Sequence, residues 1–511
     1  MWNDEAETAM YATSILSHGY PKVHDGNNVL YVYDGPDQLR AYDAHLDAYL
    51  NSGWLQFYFA TPGAWVAQHI SDPTLRTIIM RFPFALAAIG ALALMAWTVA
   101  APRRRRGLVF SAFIGLSAVC IPLVLHMREV RYYALSLLLV AFLLWLVKKF
   151  HMDGLMSYRK YKILLCIALI ILFFTFHPLF FALLASLALY AVRHVRSHWR
   201  AILREIIPLA ISLGLLIPAM IFFRTFTLSR NLNDTFGFSM LEYVKNYGTI
   251  LIDLAKYTMF IPAFMVTVVT AILFREVTFE QRTRVRSNVN FLTFLWLVTV
   301  TVVSIVSGTA LLYQRYYLVL MPISTLLFII AMSTIYALLP AVLSVTQWPR
   351  LYRGIVLSLS ATALIPIALS WQVIVGHVHE IVYPYQGTVD VTVTYIQSHY
   401  SDPSTLVIAT NYEELSYMYY LKSHVIIGQV LNNLTNDVKL QPDIIIPRLL
   451  WKVAGLPYLD AFRKAGTYNT VRFPIQDFYT NNLPELRRPL LVHQFSTRRV
   501  GSNAPLVMYV R

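Results

Sequence analysis

The chain has 511 residues, is 57% hydrophobic and only 14% charged, and carries a formal net charge of +15. A soluble globular chain is nearer a quarter charged. The positive excess lies in short loops between apolar runs, which points to a membrane protein and away from nucleic-acid binding. Cys120 and Cys166 both sit inside apolar runs, so no disulfide framework is indicated.

Residues 1–75 are polar to mixed, with turn formers at Pro21, Gly26, Gly35-Pro36 and Pro62-Gly63. Ten apolar stretches follow, at roughly 78–101, 107–126, 132–147, 161–176, 178–193, 206–223, 248–274, 289–313, 316–343 and 352–374. Most approach the ~20 residues that cross ~30 Å of hydrocarbon, and in lipid they must be helices. The two around His177-Pro178 are short and read either as tilted spans or as one interrupted segment.

The connections alternate in charge. Arg103 to Arg106 follow the first stretch, Lys148, Lys149, Arg159, Lys160 and Lys162 the third, and Arg193, Arg196, Arg200 and Arg204 the fifth. Arg275, Arg282, Arg284 and Arg286 follow the seventh, and Arg350 and Arg353 the ninth. Strict alternation places all of these on one side, which the positive-inside bias makes cytoplasmic. Residues 1–75, 127–131, the His177 turn, 224–247, 314–315 and 376–511 are then expected outside. Residues 1–75 would have to cross the membrane with no signal sequence ahead of them, which predicts an upstream transmembrane helix absent from this chain.

The tail from about 376 reads as a small α/β domain. Strands are expected at Leu406–Ala409, Val425–Ile427, Asp443–Ile446 and Leu506–Val510, with a helix over Val389–Tyr400 and another from near Glu413. The expected fold class is therefore a polytopic α-helical membrane protein with about ten transmembrane helices. It divides into a first extracytoplasmic loop (1–75), a transmembrane helical domain (76–375) and a C-terminal extracytoplasmic α/β domain (376–511).

Four groups could carry chemistry. In Asn3-Asp4-Glu5-Ala6-Glu7, Met10, Tyr11, Ser14 and Ile15 recur at helical spacing, so Asp4 falls in the first turn of an interfacial helix. A carboxylate there can serve as general base for a hydroxyl acceptor; the ordinary alternative is acidic charge at a helix start. His126-Met127-Arg128-Glu129-Val130-Arg131-Tyr132-Tyr133 sets two arginines between apolar runs, and a phosphate needs such planar cationic donors. Snorkelling arginine at helix ends is the alternative. In Tyr313-Gln314-Arg315-Tyr316-Tyr317, Arg315 can join the same anion site while Tyr316 lines a sugar or lipid groove; the alternative is an interfacial aromatic belt. Phe176-His177-Pro178 offers a histidine at a helix break, where packing is the common role. No nucleotide-binding glycine motif, zinc-ligand spacing or hydrolase elbow occurs. No cofactor is expected: Asp4, Glu5 and Glu7 could hold a divalent metal, but their spacing alone is a weak signal.

These residues together resemble the GT-C membrane glycosyltransferases, in the group of bacterial aminoarabinose transferases and protein O-mannosyltransferases. Asp4-Glu5 heading a helix, then Ala12, Gly19, Pro21 and Asp25-Gly26, is similar to the family's first outer loop. Arg81-Phe82-Pro83, Arg131-Tyr132-Tyr133-Ala134-Leu135, His177 and Arg315-Tyr316 resemble later family motifs in the same order, over about residues 1–340. The family's helix before the Asp-Glu is not found here. Its second outer-loop motif, a His or Lys before Pro-Pro, gives way to Asn51-Ser52-Gly53-Trp54.

The resemblance implies inverting transfer of a sugar from a polyprenyl-phosphate donor to an acceptor hydroxyl on a lipid, glycan or protein, at the outer face of a bacterial inner membrane. Asp4 would deprotonate the acceptor, with Glu5 orienting it or binding acceptor. Arg128, Arg131 and Arg315 would hold the donor phosphate, and Tyr132, His177 and Tyr316 would line the substrate groove. Competing readings are a transporter or flippase of lipid-linked glycans, which would favour inverted repeats and broken helices near the midplane, and a scaffold subunit in which Asp4 is dispensable.

Overall fold

Helix α1 (Asn3–His18) opens the chain with Asp4 and Glu5 in its first turn, where carboxylates meet the positive end of the helix dipole. Gly19 ends it in the left-handed conformation (φ 82°), returning its N–H to the Ile15 carbonyl at 2.8 Å. A two-stranded ribbon, β1 (Tyr42–Asp43) and β2 (Ala48–Tyr49), leads to α2 (Leu55–Ala67). The apolar runs then form α3 (Pro73–Ala100), α4 (Arg106–Ala118), α5 (Ile121–His126), α6 (Tyr132–Val147), α7 (Tyr158–Phe173), α8 (His177–His194) and α9 (Trp199–Phe222). They continue as α10 (Thr225–Thr235), α11 (Met240–Tyr257), α12 (Phe260–Glu276), α13 (Phe279–Ser307), α14 (Leu320–Val342), α15 (Pro349–Ala361), α16 (Leu364–Leu369) and α17 (Trp371–Val382). The computed structural model describes residues 1–30, 42–100, 106–194, 199–235, 237–310, 312–342, 349–382, 387–427, 439–448, 456–477 and 505–511. Gly35-Pro36, Arg103–Arg105 and Arg196 lie outside the described residues.

Among the described residues six helices are long and apolar enough to cross a bilayer: Pro73–Ala100, Tyr132–Met152, Ile202–Phe222, Phe279–Ser307, Gln314–Val342 and Arg350–Leu369. The pair α11 and α12 makes up to seven, and α4 and α8 are shorter apolar helices. The molecule is thus a helical membrane protein with a small sheet near its C-terminus. Three of the apolar runs are broken: 107–126 between α4 and α5, 248–274 at Thr258-Met259, where α12 leaves α11 at 90°, and 352–374, divided among α15, α16 and α17. Around His177 the chain goes up and back. Tyr161, at the start of α7, and Tyr190, near the end of α8, both meet the ring of His151, at 5.2 and 5.6 Å. Helix α14 is central: 89% of its apolar window is buried, as an all-round apolar helix requires, against 6% for Arg350–Leu369.

The helix ends sort into two groups. At one end Lys148 pairs with Asp153 at 2.6 Å, the Tyr158 hydroxyl donates to the Arg204 carbonyl, and Arg282 donates to the Arg275 carbonyl. The described residues of the basic connections lie at that end. At the other end lie α1, α2, the start of α3, Val130–Tyr132, Phe174 and residues 307–310 and 312–317. Gly53 lets the loop before α2 press against the end of α7: a Cβ would strike the Phe174 carbonyl, which instead accepts the Leu55 N–H at 3.0 Å. Gln56 then caps α6, accepting the Tyr132 N–H at 3.1 Å.

The tail holds α18 (Thr388–His399), α19 (Glu414–Leu421), the helix Leu456–Ala465 and a five-stranded sheet. Its strands, β3 (Val407–Thr410), β4 (His424–Ile427), β5 (Ile444–Ile446), β6 (Asn469–Gln476) and β7 (Pro505–Val510), lie in the order β4-β3-β5-β7-β6. β3 is parallel to β4 and β5, while β7 is antiparallel to β5 and β6. Side chains alternate across the sheet: Ile408, Val425, Ile444 and Ile446 join the main core, and Ala409, Ile426 and Ile445 pack under Leu459 and Phe462 of the opposite helix. Arg448 is buried between Glu413 and Asp477, all three 1% exposed. The tail is fastened to the α1 end. Arg76 donates to the Tyr419 and Tyr420 carbonyls, and Asn28 bridges Ser423 and Val425.

Candidate functional site

Residues four apart on a helix share a face, and α1 uses this to divide its acids. Asp4, Glu7 and Thr8 turn toward the start of α6, and Glu5 turns inward. Asp4 Oδ2 lies 3.1 Å from Arg315 Nη2 and 3.7 Å from Arg131 Nη2. Arg131 also donates to Glu7 Oε2 at 2.6 Å and Thr8 Oγ1 at 3.3 Å. Arg131 Nε is buried without a hydrogen-bond partner among the described residues. Arg315 stands between two aromatic faces, Trp2 at 5.0 Å and Tyr313 at 4.3 Å, which restrict its guanidinium and strengthen its electrostatics. Asp4 keeps 26% of its side chain accessible, the two arginines 11% and 9%. Burial, with Asp4 nearby, pushes the Glu7 carboxyl above its ordinary range against the pull of Arg131.

Glu5 is wholly buried. Arg81 grips it with Nε to Oε1 at 2.7 Å and Nη2 to Oε2, and the Val130 N–H donates to Oε1 at 3.1 Å. Burial opposes its charge, yet the Arg81 guanidinium outweighs this and holds the carboxyl below the usual carboxylate range. Glu5 therefore ties α1 to α3 and to the α6 turn, and presents nothing to a substrate.

The structure brings Asp4, Arg131 and Arg315 together. The Met127–Val130 turn buries Glu129 against His126, at 3.0 Å, and sends Arg128 outward to an exposed position within electrostatic reach of His377 in α17. The tyrosines also meet. Tyr132 stacks on Phe176 at 4.5 Å, and Phe176 lies 5.8 Å from Tyr316, which meets Tyr313 at 5.4 Å. His177 does not enter this row; it stacks on Phe173 at 4.3 Å and meets Phe223 at 5.6 Å.

Glu7 was read from the sequence only as a possible metal carboxylate, Phe176 only as the neighbour of His177, and Trp2 not at all. The i, i+3 spacing of Asp4 and Glu7 was the available signal for the first. Asn3, beside Asp4, is held by the tail: its Nδ2 donates to Glu414 Oε1 at 3.0 Å and its Oδ1 accepts the Leu415 N–H at 3.1 Å. No group of three or more His, Cys, Asp or Glu with metal-holding geometry occurs among the described residues. Comparison with protein-family models and with curated proteins finds no match to the chain.

Proposed function

We propose that this protein is an inverting glycosyltransferase acting on a polyprenyl-phosphate sugar at the extracytoplasmic face of a bacterial inner membrane, with the α1 end outside and about ten transmembrane passes. The observation that carries this reading is the convergence of Arg131 and Arg315 on Asp4, beside a row of aromatic rings. The donor is a phosphodiester, singly charged. As the anomeric carbon–oxygen bond breaks, its electron pair moves to the phosphate and a second negative charge develops. Two fixed guanidiniums stabilise that charge where it forms.

In the resting site Asp4 occupies these cations. A donor phosphate competes for Arg315 and releases Asp4 to take the acceptor's hydroxyl proton while the acceptor oxygen attacks the anomeric carbon. Glu7 holds Arg131 in place beside the phosphate position. Phe176, Tyr132 and Tyr316 offer faces to a sugar or the first isoprene units. Glu5 positions the helix.

The test follows consumption of a panel of polyprenyl-phosphate hexoses and pentoses in membranes carrying the parent, Asp4→Asn and Arg315→Ala. Each variant is expected to lose on the order of 10²-fold in rate, as when one transition-state donor is removed. Unchanged consumption in both variants overturns the reading. Loss of lipid translocation with no transfer in the parent makes the protein a flippase.

A further inference from the structure

We propose that α11 is an in-plane membrane helix, buried to its side in the acyl layer at the Asp4 end of the molecule. Its residues fall into three sectors at 100° per residue. Leu241, Val244 and Ile252 form an apolar stripe, 62%, 55% and 65% exposed, with Gly248 between them. Glu242, Lys245, Thr249 and Lys256 form a polar sector beside it, where Glu242 and Lys245 pair at 2.6 Å with 45% and 57% of their side chains accessible. Asn246, Ile250, Asp253 and Leu254 face the protein: Ile250 and Leu254 are buried, and Asn246 donates to the Ser307 and Thr309 carbonyls.

A helix in water has no use for the apolar stripe, and one crossing the bilayer could not carry the charged sector beside it. Only the boundary between lipid and water satisfies both. The 90° break before α12 agrees, since α12 runs down to the basic end, where Val277 packs with Val285 and Leu338. The occupant of the stripe is therefore bilayer lipid, continuous with the lipid around the spans, and not a partner protein. This placement also ties the bilayer surface to the site. The Tyr317 hydroxyl donates to Asp253 Oδ2 at 2.5 Å, and Tyr317 shares a single helical turn with Arg315. The assignment does not depend on what reaction the site performs.

The experiment uses full-length protein with Cys120 and Cys166 replaced by alanine and one cysteine at 241, 244, 252 or 245, labelled with a small environment-sensitive fluorophore. The protein is reconstituted in phosphatidylcholine vesicles containing acyl-brominated lipid. Bromine is expected to quench 241, 244 and 252 at least twofold more than 245, and aqueous iodide to show the opposite order. Equal iodide quenching at all four positions overturns the proposal, as does strong bromine quenching at 245, which would mark a buried span. A parallel measurement on the same proteins in detergent and in vesicles checks folding, because a collapsed variant loses its blue shift in both.

Discussion

Asp4 and Arg315 meet at 3.1 Å although one begins the first helix and the other precedes the most buried span. Their contact is expected to behave as one unit. The double variant Asp4→Asn with Arg315→Gln should be no slower than the worse single variant, because groups acting together are non-additive. Single-turnover rates of sugar transfer measure this. Multiplicative losses would mean that the two side chains act independently.

Arg81 and Glu5 predict a different phenotype. Replacing Arg81 with Met leaves a buried carboxylate without its partner, which costs about 3–5 kcal/mol. Thermal unfolding in detergent should show a clear drop in midpoint. Adding Glu5→Leu to Arg81→Met should recover most of it, since the uncompensated charge is then gone. Restored folding with unrestored transfer would separate a positioning role from a purely structural one.

Gly53 sets the third. Alanine there forces its Cβ into the Phe174 carbonyl, and neither backbone can yield without moving α2 or α7. A loss of about 1–3 kcal/mol is expected, as for overpacking. Gly19→Ala meets open space and costs only the strain of a left-handed conformation, about 1 kcal/mol. Comparing the two melting curves checks the order.

The fourth concerns pH. Burial pushes the Glu414 carboxyl up from 4.5 to about 7. The folded chain then keeps a proton that the unfolded chain has lost. Its stabilising effect is complete below about 4.5 and disappears as pH rises through about 7. The clasp between α19 and Asn3 should loosen over that interval. Amide hydrogen exchange across residues 3–18 and 414–421, corrected for intrinsic rates, should speed up from pH 5.5 to 8, and Glu414→Gln should flatten the change. An unchanged slope in that variant would assign the dependence to another group.

The sequence was most readable where one force dominated. Apolar length marked six spans, or seven with the α11–α12 pair, where about ten were expected, and charge alternation grouped Arg131 with Arg315, which the fold does bring together at Asp4. The four strands expected in the tail are present within a residue or two, because their β-branched runs are short and bounded by turn formers. β6 was missed: Asn469–Gln476 contains Arg472 and Pro474 and looks irregular until β7 pairs with it. The breaks at Cys120 and Thr258-Met259 were also illegible, since both lie within continuous apolar composition. At the site, the pattern picked out Asp4, Arg131 and Arg315, which the fold brings together, and gave no sign that Arg128 would sit at a more exposed position. Which arginine turns inward depends on a four-residue turn whose direction is fixed by Glu129 and Val130, and those are tertiary contacts.

The clasp of Asn3 by Glu414 joins positions 411 residues apart. A ribosome making this chain therefore finishes every described span before Glu414 can clasp Asn3. A premature stop within the tail would leave a protein that inserts and persists in the bilayer with its first helix untethered, so that abundance in the membrane and competence at the site would part company.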